Sequence, residues 1–293
     1  MFPRICRSMT APIAVFAALS ALLLAGCSGG KQDFGELKSK AMMDVGAGQY
    51  RNALESLRLA LKQQPSDREA LLYSGVCYQE LKIPDSAISF YRKVLRLYGS
   101  DLETARRLSN VATQAQNWDV ALEGLREMIK AGEKYETLMP RFYEVSMSAG
   151  YYAVASAILA SMIKLSPADS SLYLRSADVK GMIGDFDRAE MILQEALRRF
   201  GPNISVYSNM GVLYAREKKY DKAETYFRKA LAIDNQNEGV WINLGNCLSV
   251  SENPDKRREA VSAYRHVSQQ TYDQMRLDTI VSRLEYELSD ESK

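Results

Sequence analysis

The sequence predicts an all-α solenoid of about seven helical hairpins, closed by a C-terminal helix. Alanine recurs every 34 residues without insertion, and the column consists of Ala53, Ala87, Ala121, Ala155, Ala189 and Ala223. An aromatic residue or a proline stands three residues before each alanine, and a leucine or an aromatic residue stands four residues after it. A fixed period of this length is typical of repeat proteins, in which each unit buries its apolar face against its neighbours.

Numbering each repeat from 1 to 34 places the alanine column at position 20. The seven repeats are then residues 34–67, 68–101, 102–135, 136–169, 170–203, 204–237 and 238–270. Position 8 is small in every repeat but the fourth, and it reads Ala41, Gly75, Ser109, Tyr143, Ala177, Gly211 and Gly245. Small residues at positions 8 and 20 let two antiparallel helices approach closely, so each repeat should form one helical hairpin.

Helix start and stop signals recur with the same period. Position 34 carries residues expected to cap the first helix of the next repeat: Asp67, Asp101, Asp169, Asn203 and Asn237. Position 18 carries residues expected to cap the second helix: Asp85, Asp119, Asp187 and Asp221. Gly48, Gly150 and Gly184 are expected in the tight turns between the two helices of a hairpin.

The fourth repeat is irregular. Tyr143 replaces the small residue at position 8, Tyr135 and Ala153 replace the capping residues, and Pro140 lies within the first helix or delays its start. Two interpretations remain open. Either neighbouring side chains repack around these differences, or repeat 4 forms a bend that divides repeats 1–3 from repeats 5–7.

The seventh repeat ends the series. Residues 251–255 lengthen its turn, and Ala260 arrives three places later than position 20 requires. A last amphipathic helix is predicted over residues 271–288, with apolar residues Met275, Ile280, Val281, Leu284 and Leu288 on one side. Such a helix would cover the end of the core, as solenoids require, and residues 289–293 should form a disordered tail.

Composition excludes several classes of function. Hydrophobic residues make up 46% and charged residues 25% of the chain, which is typical of globular proteins. One histidine, His266, and four cysteines leave almost no material for a metal cluster or a Ser/His/Asp triad. His266 is expected on a helix surface.

Cys77 and Cys247, five repeats apart, are expected to be buried free thiols. No catalytic site, cofactor, metal, small-molecule substrate or nucleic-acid partner is expected.

The N-terminal segment is interpreted as an export signal, residues 1–26. Arg4 and Arg7 precede an apolar run over residues 11–24, which is shorter than a membrane-spanning helix requires. These two arginines account for the formal charge of +2, so removal of the segment leaves a chain with no net charge.

The end of this segment resembles the lipobox of bacterial lipoproteins. The motif consists of Leu24, Ala25, Gly26 and Cys27. The resemblance implies that a lipid is covalently attached to Cys27. Residues 27–33 then form a short linker, and Ser28 in place of aspartate favours the outer membrane in cells that have one. The protein is expected to be exported and anchored at the periplasmic face of the outer membrane. An uncleaved signal anchor is the alternative.

Repeats 6 and 7 carry the most regular pattern, formed by Tyr207, Met210, Gly211, Tyr214, Ala223, Phe227, Trp241, Leu244 and Gly245. This pattern resembles the tetratricopeptide repeat, and the resemblance extends from residue 34 to about residue 270. The family resemblance implies a right-handed superhelix whose first helices line a groove that binds peptides or helices of other proteins. Trp118, Trp241 and the methionines Met42, Met43, Met182 and Met210 are expected in the core.

By the same resemblance, the groove should be lined near positions 2, 5, 9, 12 and 13 of each repeat. Repeat 3 then offers Arg106, Asn110 and Gln114, which could hydrogen-bond an extended backbone or a carboxylate. Arg106 and Asn110 resemble residues of the carboxylate-clamp subset of the family, but Arg141 stands where that clamp has asparagine. Repeats 6 and 7 offer a set suited to a docked helix or an apolar peptide: Val212, Arg216, Ile242 and Asn246.

The sequence therefore predicts a non-catalytic scaffold, anchored to a bacterial membrane by its lipid, that gathers other envelope proteins in its groove. Its architecture resembles pilotin-like lipoproteins that help secretin rings assemble in pilus and secretion systems. Alternatives are a component of outer-membrane barrel assembly, a regulator of peptidoglycan synthesis, or an accessory subunit of a glycan-processing or transferase complex. The oligomeric state and the partner are left open.

The alanine column leads to a first prediction. Ala189→Leu places a larger side chain where paired helices must approach closely, and we expect it to destabilise the fold by about 1–3 kcal/mol through overpacking. Urea unfolding followed by circular dichroism measures the effect. An unchanged midpoint would show that the assigned register is wrong.

Overall fold

A computed structural model describes residues 33–290, which divide into two compact units at Gly99 and Ser100. Over that range the chain forms sixteen helices and no strand. The expected signal sequence, Cys27 and nearly all of the linker lie outside the described residues, as do residues 291–293. Their assignments remain predictions.

Unit 1 consists of two helical hairpins, formed by repeats 1 and 2. Its helices are α1 (Phe34–Gly46), α2 (Tyr50–Gln63), α3 (Arg68–Glu80) and α4 (Pro84–Tyr98). A buried cluster joins the two hairpins and contains Ala41, Ala53, Leu57, Ala70 and Cys77. The first helix of repeat 2 therefore packs against the apolar side of the first hairpin and buries it, as stacking in a solenoid requires.

Unit 2 continues the same arrangement from repeat 3 to the C-terminal helices. Repeats 3 to 6 form α5 (Leu102–Gln114), α6 (Trp118–Lys130), α7 (Tyr135–Ser148), α8 (Tyr152–Leu165), α9 (Ser170–Ile183), α10 (Phe186–Phe200), α11 (Ile204–Arg216) and α12 (Tyr220–Ile233). Repeat 7 and the end of the chain form α13 (Glu238–Ser249), α14 (Pro254–Tyr264), α15 (Gln269–Gln274) and α16 (Leu277–Asp290). Each apolar cluster of this unit draws residues from neighbouring repeats, so the predicted all-α solenoid of helical hairpins is confirmed.

The capping residues predicted for the first helices are confirmed. Each accepts a hydrogen bond from a backbone N–H two or three residues further on, and the set is Asp67, Asp101, Asp169, Asn203 and Asn237. Asp33 caps α1 in the same way. These contacts satisfy backbone donors that have no partner inside the helix.

The capping residues predicted for the second helices are wrong. The helices begin two residues earlier than expected, at the aromatic residue or proline of position 17, and their N-caps are Ile83, Asn117, Asp185 and Lys219. The aspartates of position 18 therefore lie in the first turn: Asp85, Asp119, Asp187 and Asp221. A carboxylate in that turn still interacts favourably with the positive end of the helix dipole.

The turn inside each of the first six repeats has one residue in the left-handed region, always at position 15. Gly48, Gly150 and Gly184 occupy it in three repeats, with φ of 73°, 74° and 85°. Lys82, Gln116 and Lys218 adopt the same conformation in the other three, with φ of 60°, 56° and 62°. The hairpin thus imposes this geometry even on residues with a Cβ, for which it is unfavourable.

The close approach of the paired helices depends on matched side-chain sizes at positions 8 and 24. All six alanines of the column are fully buried. Glycine at position 8 lies against an aromatic ring in Gly75–Tyr91, Gly211–Phe227 and Gly245–Tyr264. In repeats 1, 3 and 5, position 24 is Leu57, Leu125 and Leu193, and position 8 is Ala41, Ser109 and Ala177. Repeat 4 is the exception, with Leu159 at position 24 and Tyr143 at position 8. A larger residue on one helix is accommodated by a smaller one on the other.

Repeat 4 is accommodated within unit 2. Pro140 lies inside α7, and Lys134, the N-cap of that helix, makes no capping hydrogen bond through its side chain. The half-buried Tyr143 packs against the cluster that contains Ala155 and Leu159. The division between the two units falls between repeats 2 and 3 and not at repeat 4. Of the two interpretations, these findings favour local repacking over a bend.

The C-terminal helix needs two corrections. Residues 271–288 do not form one helix, because Arg276 adopts a φ of 52° and separates α15 from α16. Ser289 and Asp290 belong to α16 and not to a disordered tail. The buried residues of α16 join the cluster of repeat 7 and cover its end, as predicted: Leu277, Val281 and Leu284.

The size match at position 8 generates a second prediction. A Cβ at Gly211 would lie 2.5 Å from Cε1 of Phe227. We therefore expect Gly211→Ala to destabilise the fold by about 1–3 kcal/mol. Phe227→Leu in the same chain should recover at least ~1 kcal/mol, because alanine facing leucine is the combination of repeats 1 and 5. Urea unfolding of both single variants and the double variant measures this coupling. Additive losses would contradict the size match.

Candidate protein-binding face of unit 2

The first helices of repeats 3 to 6 are joined side by side by polar contacts. Nη2 of Arg141 on α7 donates to Oδ1 of Asn110 on α5, at 2.6 Å. Nη1 of Arg216 on α11 donates to Oδ1 of Asp178 on α9, at 2.7 Å. These contacts link α5 to α7 and α9 to α11, and Arg175 of α9 lies over Tyr143 of α7. We call the surface formed by α5, α7, α9 and α11 the first-helix face.

Three arginines stand 34 residues apart on this face, at position 6 of repeats 3, 4 and 5. We call Arg107, Arg141 and Arg175 the arginine column. The guanidinium of Arg175 lies 5.9 Å from the ring centre of Tyr143 on the preceding first helix. Arginine stacked on an aromatic ring remains charged and keeps its hydrogen-bond donors.

Among the described residues, the column forms an ion pair only at Arg107. Glu103 pairs with Arg107 at 2.8 Å and lies 3.8 Å from Arg106. Arg141 contacts a neutral amide and Arg175 a neutral ring, and no carboxylate of the described residues forms an ion pair with either. Arg141 and Arg175 therefore have guanidinium groups available to a ligand. Carboxylates also lie nearby: Asp178 and Glu144 flank Tyr143, and the pKa of Asp169 is lowered by its hydrogen bond from Ser171 and also by the charge of Arg175.

Tyr143, whose ring lies beneath Arg175, keeps a neutral hydroxyl group. Burial raises the pKa of the Tyr143 hydroxyl, with the nearby carboxylates Asp178 and Glu144 acting in the same direction and Arg175 opposing them. The hydroxyl is therefore protonated at physiological pH. It does not compensate the arginine charge.

The groove residues predicted from repeat 3 lie on this face. Arg106, Asn110 and Gln114 are exposed on α5. Asn110 already accepts the hydrogen bond from Arg141, so its amide oxygen is occupied in this structure. Arg216 is exposed as well, but Asp178 neutralises it.

The predicted residues of repeats 6 and 7 offer less surface. Ile242 is only 8% exposed and belongs to the core cluster of repeat 7, and Val212 is half-buried against the same cluster. Asn246 is exposed, but its Oδ1 accepts a hydrogen bond from the buried Tyr264 hydroxyl at 2.8 Å. Ile242 therefore contributes to packing and not to the face.

Arg141 and Arg175 are absent from the predicted groove set. The signal for them was present in the sequence, since arginine recurs at position 6 with the full period of the repeat. Position 6 was not among the positions taken as groove-facing.

Other residues singled out in the sequence have structural roles or lie at the surface. Trp118 and Trp241 are half-buried, and Trp241 stacks on the exposed His266 with ring centres 4.0 Å apart. Of the four methionines expected in the core, only Met210 is fully buried, while Met43 and Met182 are exposed.

Cys77 and Cys247 are buried free thiols, as predicted. Burial raises the pKa of each to about 11. Because the thiolate is the reactive form, both cysteines are poor nucleophiles at physiological pH.

Residues 33–290 contain no group of three or more His, Cys, Asp or Glu side chains placed to hold a metal ion. No helix in the same range has the length and apolar character needed to cross a membrane. The described residues form a helical-repeat protein, and the first-helix face of its unit 2 carries two arginines that form no ion pair.

Sequence comparison identifies the repeat. Three models described as tetratricopeptide repeat match residues 40–101, 168–236 and 214–276, which together cover more than half of the chain. The chain belongs to the tetratricopeptide repeat family. No curated protein matches it by sequence.

Solved structures agree with this fold. The complex of Naa15 and Naa10 bound to HypK is 17% identical, with a TM-score of 0.64, over 85% of this chain and 38% of that chain. A tetratricopeptide repeat protein from Parabacteroides merdae is 20% identical over 79% of this chain and 90% of its own, with a TM-score of 0.38. YrrB, described as having an unusual peptide-binding site, is 18% identical over 64% of this chain and 96% of its own, with a TM-score of 0.42.

At 17% identity, the match with a TM-score of 0.64 supports the fold alone, and the two matches below 0.5 add nothing to it. Tetratricopeptide repeats form scaffolds for protein–protein interaction, and the chain is a scaffold of this kind. The fold itself supplies no catalytic centre, so function is determined by the surfaces that it presents.

Proposed function

We propose that this scaffold is a lipid-anchored protein of the bacterial cell envelope that binds an acidic segment of a partner protein along the arginine column. It carries out no catalysis and needs no cofactor. The lipid on Cys27 holds it at the periplasmic side of the outer membrane.

The guanidinium groups of Arg141 and Arg175 support the acidic ligand, because neither forms an ion pair with the described residues. Each guanidinium can form two parallel hydrogen bonds with a carboxylate, which is stronger and more directional than a contact with an amide. An extended chain rises about 3.3 Å per residue, so glutamates repeated along it offer a carboxylate near each guanidinium that the chain crosses.

The lipid anchor rests on the sequence around Cys27. A charged start, an apolar run and small residues precede that cysteine in the order of a lipobox. Each buried methylene contributes about 0.8 kcal/mol, and stable anchoring takes more than one acyl chain. The short linker would then keep the first repeat close to the membrane surface.

The class of partner that we propose is the assembly machinery of a pilus or secretion secretin. The support is architectural, since a lipobox followed directly by these repeats is typical of pilotin-like lipoproteins. The acidic ligand and the lipid anchor can each be tested without naming that partner.

The third prediction concerns the arginine column. An extended fluorescent peptide with glutamate at every third residue should bind the full chain. Arg141→Gln combined with Arg175→Gln should weaken that binding by about 1–2 kcal/mol, roughly a 5- to 30-fold rise in Kd. Added salt should also weaken it. Fluorescence anisotropy measures each Kd.

The matched control is Arg188→Gln on α10, a second helix, where the arginine side chain is 70% exposed. This variant removes one charge away from the first-helix face and should leave the Kd unchanged. Equal binding of a peptide with glutamine in place of glutamate would disprove recognition of acidic groups.

The fourth prediction concerns the anchor. In bacteria grown with an alkyne analogue of palmitate, the wild-type chain should carry the label and sediment with membranes. Cys27→Ala should lose both properties because the acylated atom is gone. Cys77→Ala, which alters a buried thiol, should keep them. Label retained in the Cys27→Ala variant would rule out the proposed anchor.

A further inference from the structure

An open apolar groove lies between the second helices of repeats 4 and 5. Its walls are α8 and α10, its floor is α9, and its volume is 730 Å³. This volume falls in the range of clefts that bind ligands, about 300–1,000 Å³. The groove is lined by second helices and so differs from the first-helix face.

The groove exists because position 7 of repeat 5 is a serine. In repeats 3, 4, 6 and 7 this position carries a large, buried apolar side chain: Leu108, Phe142, Met210 and Leu244. Ser176 reaches less far and leaves the space above it open. We call this space the serine groove.

Unit 1 has a similar cavity in the same place. Ser74 occupies position 7 of repeat 2, and a cavity of 340 Å³ lies above it between α2 and α4. Serine at this position thus accompanies an open space in both units. The cavity in unit 1 is narrower because Glu55 and Arg58 stand on its wall at positions 22 and 25.

The wall of the serine groove is suited to a helix. At positions 18, 22 and 25, α8 presents Ala153, Ala157 and Ala160, which lie on one side of that helix. Small residues with this spacing let a second helix approach closely. On the opposite wall, Met191 is 67% exposed and offers a flexible apolar contact.

The length of the groove agrees with the same occupant. It extends along α8 from Ala153 to Lys164, which corresponds to about 16 Å at the helical rise per residue. About three turns of a docked helix span that distance. Its apolar residues at i, i+3, i+4 and i+7 would face the floor and walls.

The charged side chains along the margin of the serine groove favour a docked helix of opposite charge. Three cations and one carboxylate line the groove: Lys164, Lys180, Arg198 and Glu195. Lys180 lies 3.7 Å from Asp185, and Arg198 pairs with Glu195. Lys164 is exposed and forms no ion pair with the described residues. A helix with carboxylates along its margin would complement this charge.

We propose that the serine groove is a second docking surface, which takes an amphipathic helix of a partner protein, apolar on one face and acidic at the margin. The proposal goes beyond the binding of an acidic segment by the arginine column. It holds whether or not Cys27 carries a lipid.

Two stapled helical peptides of about 15 residues, long enough to remain helical, provide the test. Both carry leucine at i, i+3, i+4 and i+7, one with glutamate and the other with lysine at the margin. Fluorescence anisotropy with the full chain should give a Kd on the order of 10 μM for the acidic peptide. The lysine peptide should bind at least about tenfold more weakly.

Ser176→Leu should fill the groove and weaken binding of the acidic peptide at least about tenfold. Leucine is native at this position in repeats 3 and 7, so the variant should fold, and its melting temperature should not fall. Lys164→Glu should weaken binding of the acidic peptide and strengthen that of the lysine peptide.

Ser74→Leu is the matched control, because it makes the same change at the floor of the narrower cavity, where Glu55 and Arg58 obstruct a helix. It should leave the Kd unchanged. The double variant of Arg141 and Arg175 should also leave it unchanged, which separates this surface from the arginine column.

Three results would overturn the proposal. These are failure of both peptides to bind, binding that survives Ser176→Leu, and a loss of binding caused by Ser74→Leu instead. Self-association of the wild-type chain that Ser176→Leu abolishes would assign the groove to a second copy of the chain. That result would also overturn docking of a partner helix.

Discussion

The close contact between the two helices of each hairpin is the constraint on which the structure depends. It depends on a buried alanine at position 20 and, in the repeats other than the fourth, on matched sizes at positions 8 and 24, as in the pair of Gly211 and Phe227. Because the contact is similar from repeat to repeat, one period separates equivalent residues along the chain. Residues that occupy the same position are therefore displayed in a row on the surface, as Arg141 and Arg175 are.

The features that sequence could predict are those that depend on this period. Small buried residues, helix caps at the end of each repeat and the glycine turns follow from local chemistry repeated many times. The N-caps of the second helices were predicted wrongly. The residue at position 17 starts the helix, so the aspartate after it lies inside the first turn and has no capping role. The break at Arg276 carried no signal, since arginine has no preference for the left-handed region.

The binding surfaces were harder to predict than the fold, because they depend on contacts that differ from repeat to repeat. Arg107, Arg141 and Arg175 share a position, but their charges differ in effect because their neighbours differ. The pair of Arg107 and Glu103 follows from its i,i+4 spacing on one helix, but only the structure brings Arg141 to the amide of Asn110. The serine groove depends on a residue that is too small for its position, and such an absence of volume is visible only once the surrounding helices are placed.

The two surfaces would contribute differently to an interaction. Exposed guanidinium groups act over several ångströms and mainly affect how fast and in which orientation a partner arrives. An apolar groove acts only on contact, and it affects how slowly the partner leaves. A scaffold that carries both could capture a partner through one segment and retain it through another.

The size match at positions 8 and 24 also bears on how such a chain can change during evolution. Glycine with an aromatic ring and alanine with leucine are two compatible combinations, and a single substitution converts either into a clash or a gap. Genetic exchange at the boundary between two repeats moves both partners together. Genetic exchange at a point between positions 8 and 24 of one repeat separates the two matched residues. Whole repeats are therefore the units that can be duplicated or shuffled, while their interiors must be inherited intact.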